Sequence, residues 1–142
     1  CFHLLLFITE VTMTFLDSIK TCLKKTLTIS GRASRSEFWW FQLSFFVIGI
    51  IAALLIVAVG VGSTLASLIS IIFVIYVIVA SIASFTAGIR RLHDTNRSGW
   101  LVLVFWILAC IPFVDFISTI VYIVFLCQKG TEGENRFGAK PE

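Results

Sequence analysis

A short polar stretch between two long apolar runs carries the side chains most capable of chemistry. The stretch GIRRLHDTNRSGW, residues 88–100, contains the charged or titratable residues Arg90, Arg91, His93, Asp94 and Arg97. On a helix that continues from the preceding run, residues spaced by three and four share a face, so Arg90, His93 and Asp94 are expected to lie together. Guanidinium groups bind phosphate oxygens in pairs. The stretch therefore predicts a site for a lipid headgroup phosphate or another small anion.

Two other interpretations of this stretch stay open. As a charged hinge, it would use Asp94 and Asn96 to cap helices, while its arginines hold the neighbouring membrane helices in their orientation. As a catalytic site, it would use His93 as a base oriented by Asp94, but adjacent residues rarely form such a pair. The four cysteines form no C-x-x-C pair, and only two histidines accompany them. We therefore predict no catalytic residue, no metal site and no cofactor, and a protein that is not an enzyme.

The elements that must position this stretch are membrane helices. The chain is 58% hydrophobic and only 13% charged, whereas soluble domains carry about a quarter charged residues. Residues 38–89 include no Asp, Glu, Lys or Arg, and residues 100–127 include one charge, Asp115. A spanning helix needs about 20 apolar residues, so the first run holds two spans. We predict an all-α, multi-pass transmembrane protein with three apolar segments.

Local helix signals divide the first apolar run. Ser34 and Glu37 have the spacing of a capping box, which predicts a helix start directly before a span at residues 36–59. A glycine-rich turn, VGVGST, then interrupts the run, and a second span is predicted at residues 65–88.

The third run is longer than one span needs. As one helix, residues 100–127 would extend about 42 Å, more than the roughly 30 Å hydrocarbon core. Pro112 and Asp115 lie near its middle. We interpret the run as a single tilted, Pro-kinked span; the alternative is a helical hairpin, which would return the chain to the side from which it came. In either case Asp115 should face protein or water, since a charge at mid-bilayer costs about 2.5–3.5 kcal/mol.

The segment before the spans, residues 13–30, is predicted to be an amphipathic helix on the membrane surface. Its apolar residues recur at helical spacing, its lysines lie on other faces, and Thr14 and Asp17 have capping-box spacing. The alternative is a helix that packs on the protein's own loops. Residues 1–12 are interpreted as an upstream or non-native segment, with Met13 as the natural start.

The positions of the basic residues predict the orientation. Lysines and arginines lie before the first span and after the second, whereas the turn between the spans has none. By the positive-inside rule, the N-terminal segment and the loop from Arg90 to Arg97 are cytoplasmic. Because the basic residues lie at membrane boundaries rather than on one basic face, nucleic acid is not an expected partner. The expected partners are anionic phospholipids, and a second copy of the chain or another membrane protein.

Three polar motifs resemble those of a known family. SGRASRSEFWWF, RRLHDTNRSGW and CQKGTEGENRFG follow one another around the apolar runs. In this order they resemble the small bacterial inner-membrane proteins of domain-of-unknown-function family 805. The resemblance implies a multi-pass protein of the inner membrane without an assigned activity. The chain departs from that family's pattern in the third apolar run, which is longer and carries Asp115 at a position that is commonly glycine.

The motif residues outside the central stretch are expected to support it. They are Arg32, Arg35, Glu37, Glu134, Asn135 and Arg136. Residues 31–127 would form the transmembrane domain, and residues 128–142 a polar, turn-rich tail. If the tail is cytoplasmic, Glu134 could pair with Arg90, Arg91 or Arg35.

The function predicted from these features is that of an accessory or structural protein of the inner membrane. Its cytoplasmic-face motif of arginine, histidine and aspartate would contact lipid phosphate or a partner protein. The alternative is a small oligomeric transporter or channel subunit. Such a subunit needs polar residues inside the membrane, for which Asp115 and Gln42 are the candidates.

Overall fold

Residues 14–141 form five α-helices. The computed structural model describes this part of the chain, so the segment 1–12 and the start expected at Met13 lie outside it. The helices are α1 (Phe15–Lys24), α2 (Arg35–Ala58), α3 (Thr64–Asp94), α4 (Trp100–Leu108) and α5 (Val114–Cys127). Apart from an isolated bridge between Asn135 and Gly138, the described residues contain no strand pairing. The predicted all-α class is confirmed for this part of the chain.

The two long helices begin where local signals predict. The Ser34 hydroxyl accepts a hydrogen bond from the Glu37 amide at 3.1 Å, and the Ser63 hydroxyl accepts one from the Ala66 amide at 3.1 Å. Both glycines of the turn between the helices have positive φ, 87° and 88°, which L side chains rarely adopt. α3 continues beyond the predicted span to Asp94. Arg90 and Arg91 therefore lie on the helix rather than in a loop, whereas Arg97 lies in the connection to α4.

Both long helices can cross a membrane by their length and composition. α2 has 24 residues and α3 has 31, which correspond to about 36 and 46 Å. Only 17% and 11% of the residues in their most apolar stretches are buried inside the protein. A core helix of a soluble protein would be covered by its neighbours, so these apolar surfaces are suited to contact lipid.

The third apolar run is a helical hairpin, and its interpretation as a single Pro-kinked span is wrong. α4 ends at Leu108, α5 begins at Val114, and the rings of Phe105 and Tyr122 lie 5.1 Å apart between their centroids. In one continuous helix these two residues would be about 25 Å apart. Phe113, in the turn, adopts a φ of 69°, and this left-handed residue helps to reverse the chain. The tail consequently returns to the end of α3 that carries the central stretch.

α1 is shorter than predicted. Its N-terminus is capped as expected, with the Thr14 hydroxyl accepting a hydrogen bond from the Asp17 amide at 3.2 Å. The helix ends at Lys24 instead of continuing to residue 30. The Thr26 hydroxyl donates to the Leu23 carbonyl oxygen at 2.6 Å. This local side-chain bond satisfies a terminal carbonyl and competes with further helix.

α1 packs against α2 with one side, and leucine side chains on its other side remain exposed. Ser18 and Cys22 are buried, and the Ser18 hydroxyl donates to the Glu37 carbonyl oxygen of α2 at 2.5 Å. Leu16, on the other side, is 63% exposed, and Leu27 in the following turn is 86% exposed. The helix therefore combines features of both interpretations. It packs on the protein, as the alternative proposed, and it also leaves apolar side chains uncovered, as a membrane-surface helix does.

The packed core lies at the end of the bundle that carries the central stretch. Its buried members are Cys22, Phe38, Phe41, Ala80, Ala83, Ala87, Leu92, Val102 and Leu126. The small residues of α3 allow close approach of its neighbours. At Gly88, an added Cβ would lie 2.6 Å from the Tyr122 hydroxyl oxygen of α5. The core thus gathers all five helices of the described chain around one end of α3.

Candidate functional site: an arginine clasp at the end of α3

Arg90, Arg91 and Asp94 of the central stretch form ion pairs inside the protein. The Asp94 carboxylate receives two arginines: Arg32 approaches it at 2.8 Å, and Arg91, one helical turn before Asp94, donates to its other oxygen. All three side chains are at most 6% exposed. A second buried pair joins Arg90 Nη1 of α3 to Glu37 Oε1 of α2 at 2.5 Å. We call these five residues, Arg32, Glu37, Arg90, Arg91 and Asp94, the arginine clasp.

Cys22 lies beside the Arg90–Glu37 pair. Its sulfur is 3.8 Å from Glu37 Oε1 and 3.9 Å from the Glu37 carbonyl oxygen. Burial, with a smaller contribution from the negative charge of Glu37, raises the pKa of the Cys22 thiol to about 12. The thiolate is the reactive form of cysteine, so Cys22 is an inert packing residue at neutral pH.

The C-terminal tail closes over the clasp. Arg32 donates to the carbonyl oxygens of Thr131, Gly133 and Gly138, at 2.5, 2.6 and 3.2 Å. Arg91 donates to the carbonyl oxygens of Leu126, at 2.9 Å, and Gln128. Guanidinium N–H groups that are removed from water need acceptors, and backbone carbonyls supply them here. The two arginines therefore bind the tail as well as Asp94.

His93 also helps to hold the tail against the clasp, and its ring does not pair with the Asp94 carboxylate. Its ring stacks on Phe137 of the tail at 3.9 Å with an interplanar angle of 5°. Its Nδ1 lies 3.1 Å from the Gly31 carbonyl oxygen, and its own carbonyl oxygen accepts a hydrogen bond from Asn135 at 3.0 Å. α3 is helical through Asp94, so Arg90, His93 and Asp94 have the spacing expected of residues on one face. Their side chains nevertheless bind different partners: Glu37, Phe137 of the tail, and Arg32 with Arg91.

The remaining predicted residues lie around the clasp. Arg97 donates to the Gln128 side chain at 2.5 Å, and its guanidinium lies 4.2 Å from the centre of the Phe125 ring. Arg136 donates to the Asn96 carbonyl oxygen at 3.1 Å. Arg35, in the first turn of α2, is exposed, and so is Glu134. Glu134 does not pair with Arg90 or Arg91, two of the three partners expected for it, because the acids that pair with these arginines are Glu37 and Asp94.

Burial changes the interpretation of the stretch as a phosphate site. Arg90 and Arg91 are 1% and 0% exposed, and Asp94 is 4% exposed. These groups are closed off from the surroundings in this structure, and the two arginines contact oxygens of the protein. Arg91 donates to the Asp94 carboxylate and to two backbone carbonyls, whereas Arg90 makes a single hydrogen bond, to Glu37, and its Nε and Nη2 have no partner among the described residues.

A basic cavity lies next to the clasp and is open to the outside. It has a volume of about 480 Å³ and is lined by Thr21, Lys24, Lys25, Arg32, Glu37, Lys140 and Pro141. Glu37 and Arg32 are already paired with other members of the clasp. Because Arg32 shares Asp94 with Arg91, the clasp keeps one net positive charge, and the lysines of the lining add to it. Among residues 14–141, no three His, Cys, Asp or Glu side chains are grouped as ligands for a metal ion.

Gly130 is the point at which the tail approaches the clasp most closely. A Cβ added there would lie 2.5 Å from Cγ of Asp94, whose carboxylate is held by two arginines and cannot withdraw. We expect Gly130→Ala to displace the tail and to lower the free energy of unfolding by about 1–3 kcal/mol, as overpacking does. Limited proteolysis of the tail and thermal unfolding in detergent measure both effects.

Gly49→Ala is the matched control for this substitution. Its added Cβ would meet only a Phe73 ring carbon at 3.7 Å, an ordinary contact inside a helix, where alanine is favoured. If Gly130→Ala leaves the tail as protected and the protein as stable as Gly49→Ala does, the close contact between tail and clasp is contradicted.

The fold and the clasp define an all-helical integral membrane protein with a polar, internally paired cap at one end. The chain belongs to the family described as a protein of unknown function, DUF805, whose sequence model matches residues 26–139. It is similar to inner membrane protein YhaI of Escherichia coli (strain K12), 36% identical over 120 residues that cover 84% of this chain and 91% of that protein. It is also similar to inner membrane protein YhaH of the same strain, 38% identical over 124 residues that cover 84% and 92%. No solved structure matches the chain.

These relatives confirm the family resemblance and the inner-membrane class predicted from the sequence. The matched segment includes every residue of the clasp and the tail carbonyls that it binds, whereas α1 precedes it. The clasp is therefore built from the part of the chain that defines the family, and the lysines of α1 lie outside that part.

Proposed function

We propose that this protein is a non-enzymatic accessory protein of the inner membrane that binds anionic phospholipid at its clasp end. α2 and α3 span the bilayer in this proposal, and the clasp end faces the cytoplasm, as the distribution of lysine and arginine favours. The observation that carries the proposal is the cavity beside the clasp, whose lysines Lys24, Lys25 and Lys140 surround a space of about 480 Å³.

The surroundings of the cavity support its location at the level of the lipid headgroups. Leu27 and Ile29, in the connection after α1, are 86% and 59% exposed. Trp39 and Trp40, near the start of α2, are 38% and 40% exposed. Exposed aliphatic side chains beside tryptophan are typical of the boundary between acyl chains and headgroups. A cavity at this level would lie where the phosphates of anionic headgroups are concentrated.

The clasp supports this role by holding the cavity in shape. Glu37 pairs with Arg90, and Asp94 is shared by Arg32 and Arg91, so two of the clasp's three positive charges are neutralised inside the protein. Lys24 and Lys25 present ammonium groups to the cavity, and each such group contributes about 1 kcal/mol to binding near an anionic membrane surface. The arginines of the central stretch therefore build the site without contacting the lipid.

Charge removal at the cavity tests the proposal. We expect Lys24→Gln and Lys25→Gln each to weaken retention of phosphatidylglycerol or cardiolipin about fivefold, and the double variant roughly 25-fold, from about 1 kcal/mol per lysine. The measurement is lipid retention by native mass spectrometry, alongside binding of labelled lipid at two salt concentrations. Thermal unfolding should be unchanged, because both lysines are exposed.

Lys129→Gln serves as the control, since it removes the same charge at a side chain that is 66% exposed and pairs with Glu132 outside the cavity. It should change lipid retention less than twofold. If Lys129→Gln weakens retention as strongly as Lys25→Gln, the lipid responds to net charge alone and the cavity is not its site.

A further inference from the structure

The contacts along α3 determine how far the α4–α5 hairpin extends. At its base, Arg91 Nε of α3 donates to the Leu126 carbonyl oxygen of α5 at 2.9 Å. About one turn closer to the N-terminus of both helices, Gly88 of α3 faces the Tyr122 hydroxyl of α5. On the other arm, the ring of Trp106 lies 5.2 Å from that of Phe85. α5 therefore runs parallel to α3, and α4 runs antiparallel to it.

This register places the tip of the hairpin beside the middle of α3. Val114 precedes Leu126 by about 18 Å of helix, so the start of α5 comes level with the region of α3 around Ala80. The apolar part of α3, residues 65–89, is about 37 Å long, and its centre is near residue 77. The tip therefore lies close to the midplane of a bilayer that α3 crosses.

We infer that the α4–α5 hairpin is re-entrant: it enters and leaves the bilayer at the clasp face and occupies one leaflet only. α4 has 9 residues and α5 has 14, about 13 and 21 Å, and both are shorter than the roughly 30 Å hydrocarbon core. The inference rests on the proposed spanning of α2 and α3, and it is independent of phospholipid binding at the cavity.

The surface of the tip identifies acyl chains as its surroundings. Phe113, Phe116 and Ile117 are 93%, 72% and 64% exposed, and Ile111 before them is 45% exposed. Asp115 is the exception: it is exposed at the tip and does not face protein as expected, so among acyl chains it carries the cost of a charge inside the bilayer, about 2.5–3.5 kcal/mol. Its place in the first turn of α5, at the positive end of the helix, offsets part of that cost. Thr119 donates a hydrogen bond to the carboxylate at 3.3 Å.

A hairpin in one leaflet makes the protein wedge-shaped. Four helices, α2 to α5, occupy the leaflet at the clasp face, and only α2 and α3 continue into the other leaflet. α1, with its exposed Leu16 and Leu23, adds to the same wide side. The wedge gives the protein a second property beyond lipid binding: a preference for bilayers whose clasp-side leaflet is convex.

The native Cys110, which is exposed at the tip, allows the depth to be measured with little change to the protein. Spin labels are placed at Cys110, at Val61→Cys in the turn between α2 and α3, and at Glu132→Cys in the tail, each as the single cysteine. The protein is reconstituted in vesicles of phosphatidylethanolamine and phosphatidylglycerol. Collision with oxygen and with a water-soluble nickel complex then reports the depth of each label.

The inference expects high nickel access at positions 61 and 132, and at least tenfold lower nickel access with high oxygen access at position 110. Nickel access at position 110 as high as that at positions 61 and 132 would show that the tip reaches water, so that the hairpin either crosses the bilayer or lies on its surface. That result overturns the re-entrant hairpin. Low nickel access at position 61 would instead overturn the proposed spanning of α2 and α3.

Vesicle size tests the wedge itself. Vesicles of about 30 nm and about 200 nm diameter compete for the protein, and a C-terminal tag selects molecules whose clasp end faces outward. We expect the protein to be enriched severalfold in the small vesicles, and a Phe113→Ser/Phe116→Ser variant to lose that enrichment. Equal distribution of the parent protein would overturn the wedge even if the depth of Cys110 is as inferred.

Discussion

Asp94→Asn should remove most of the stability of the clasp end. The substitution keeps the shape of the side chain but leaves the guanidinium groups of Arg32 and Arg91 buried without their shared counter-charge. Breaking a buried ion pair by removing one partner costs about 3–5 kcal/mol. Native proteins are stable by only about 5–15 kcal/mol. We therefore expect a large fall in unfolding temperature in detergent and rapid proteolysis of the tail that the two arginines hold.

Glu132→Gln is the control for this prediction. It removes one partner of an ion pair whose side chains are 66% and 75% exposed, and exposed pairs contribute about 0–1 kcal/mol. If Asp94→Asn is no less stable than Glu132→Gln, the clasp does not have the structural role described for it.

Glu37→Gln should make Cys22 reactive. In the parent protein Cys22 is 0% exposed, and burial raises its pKa to about 12, so thiolate is scarce at neutral pH. The substitution would leave Arg90 without its carboxylate partner, and the packing of α1 on α2 at Cys22 should loosen. With Cys1, Cys110 and Cys127 replaced by serine, we expect maleimide labelling of Cys22 to accelerate at least tenfold, measured by mass spectrometry.

The pH dependence of maleimide labelling is a second test, of the raised pKa of Cys22. Because the raised pKa keeps the thiol neutral, the parent's slow labelling should rise about tenfold per pH unit between pH 7 and 9 without levelling off. A thiol with an ordinary pKa near 8.5 would begin to level off in that range. The control is Glu134→Gln, which changes an exposed glutamate and should leave the labelling rate unchanged. Equal rates for the two glutamine variants would contradict the coupling of Cys22 to the Arg90–Glu37 pair.

The features that local sequence determines were predicted well. The bounds of α2 and the start of α3 depend on the length of the apolar run, on Ser34 and Ser63 as caps, and on two glycines with positive φ. Each of these signals acts over a few residues, so one sequence is sufficient to detect them. The C-terminal end of α1 was harder to predict, because apolar residues keep their helical spacing as far as Leu27 although the helix ends at Lys24.

The hairpin could not be distinguished from a kinked helix by the same signals. Pro112 and Asp115 are compatible with either, because proline both kinks helices and begins turns. The reversal includes a left-handed conformation at Phe113, a residue type that rarely adopts it. The length of the run, about 42 Å as one helix, was the only sequence feature that favoured a turn.

The clasp was missed because its partners are distant in sequence. Arg32 and Asp94 are 62 positions apart, and Arg32 and the Gly133 carbonyl are 101 positions apart. A motif containing arginines has the same composition whether they bind phosphate or the protein's own oxygens, and burial alone separates the two cases. The order of the three polar motifs along the chain was the available signal, since each motif supplies one part of the clasp or its tail.

A double-mutant cycle on Arg90 and Glu37 tests most directly whether the arginines of the motif are internal structural partners. The variants are Glu37→Leu, Arg90→Met and their combination, and the measurement is the free energy of unfolding in detergent without anionic lipid. Each single variant leaves a buried charge unpaired and should lose about 3–5 kcal/mol, whereas the double variant should lie within about 1 kcal/mol of the parent. Losses that add, with a coupling energy below about 0.5 kcal/mol, would contradict the clasp.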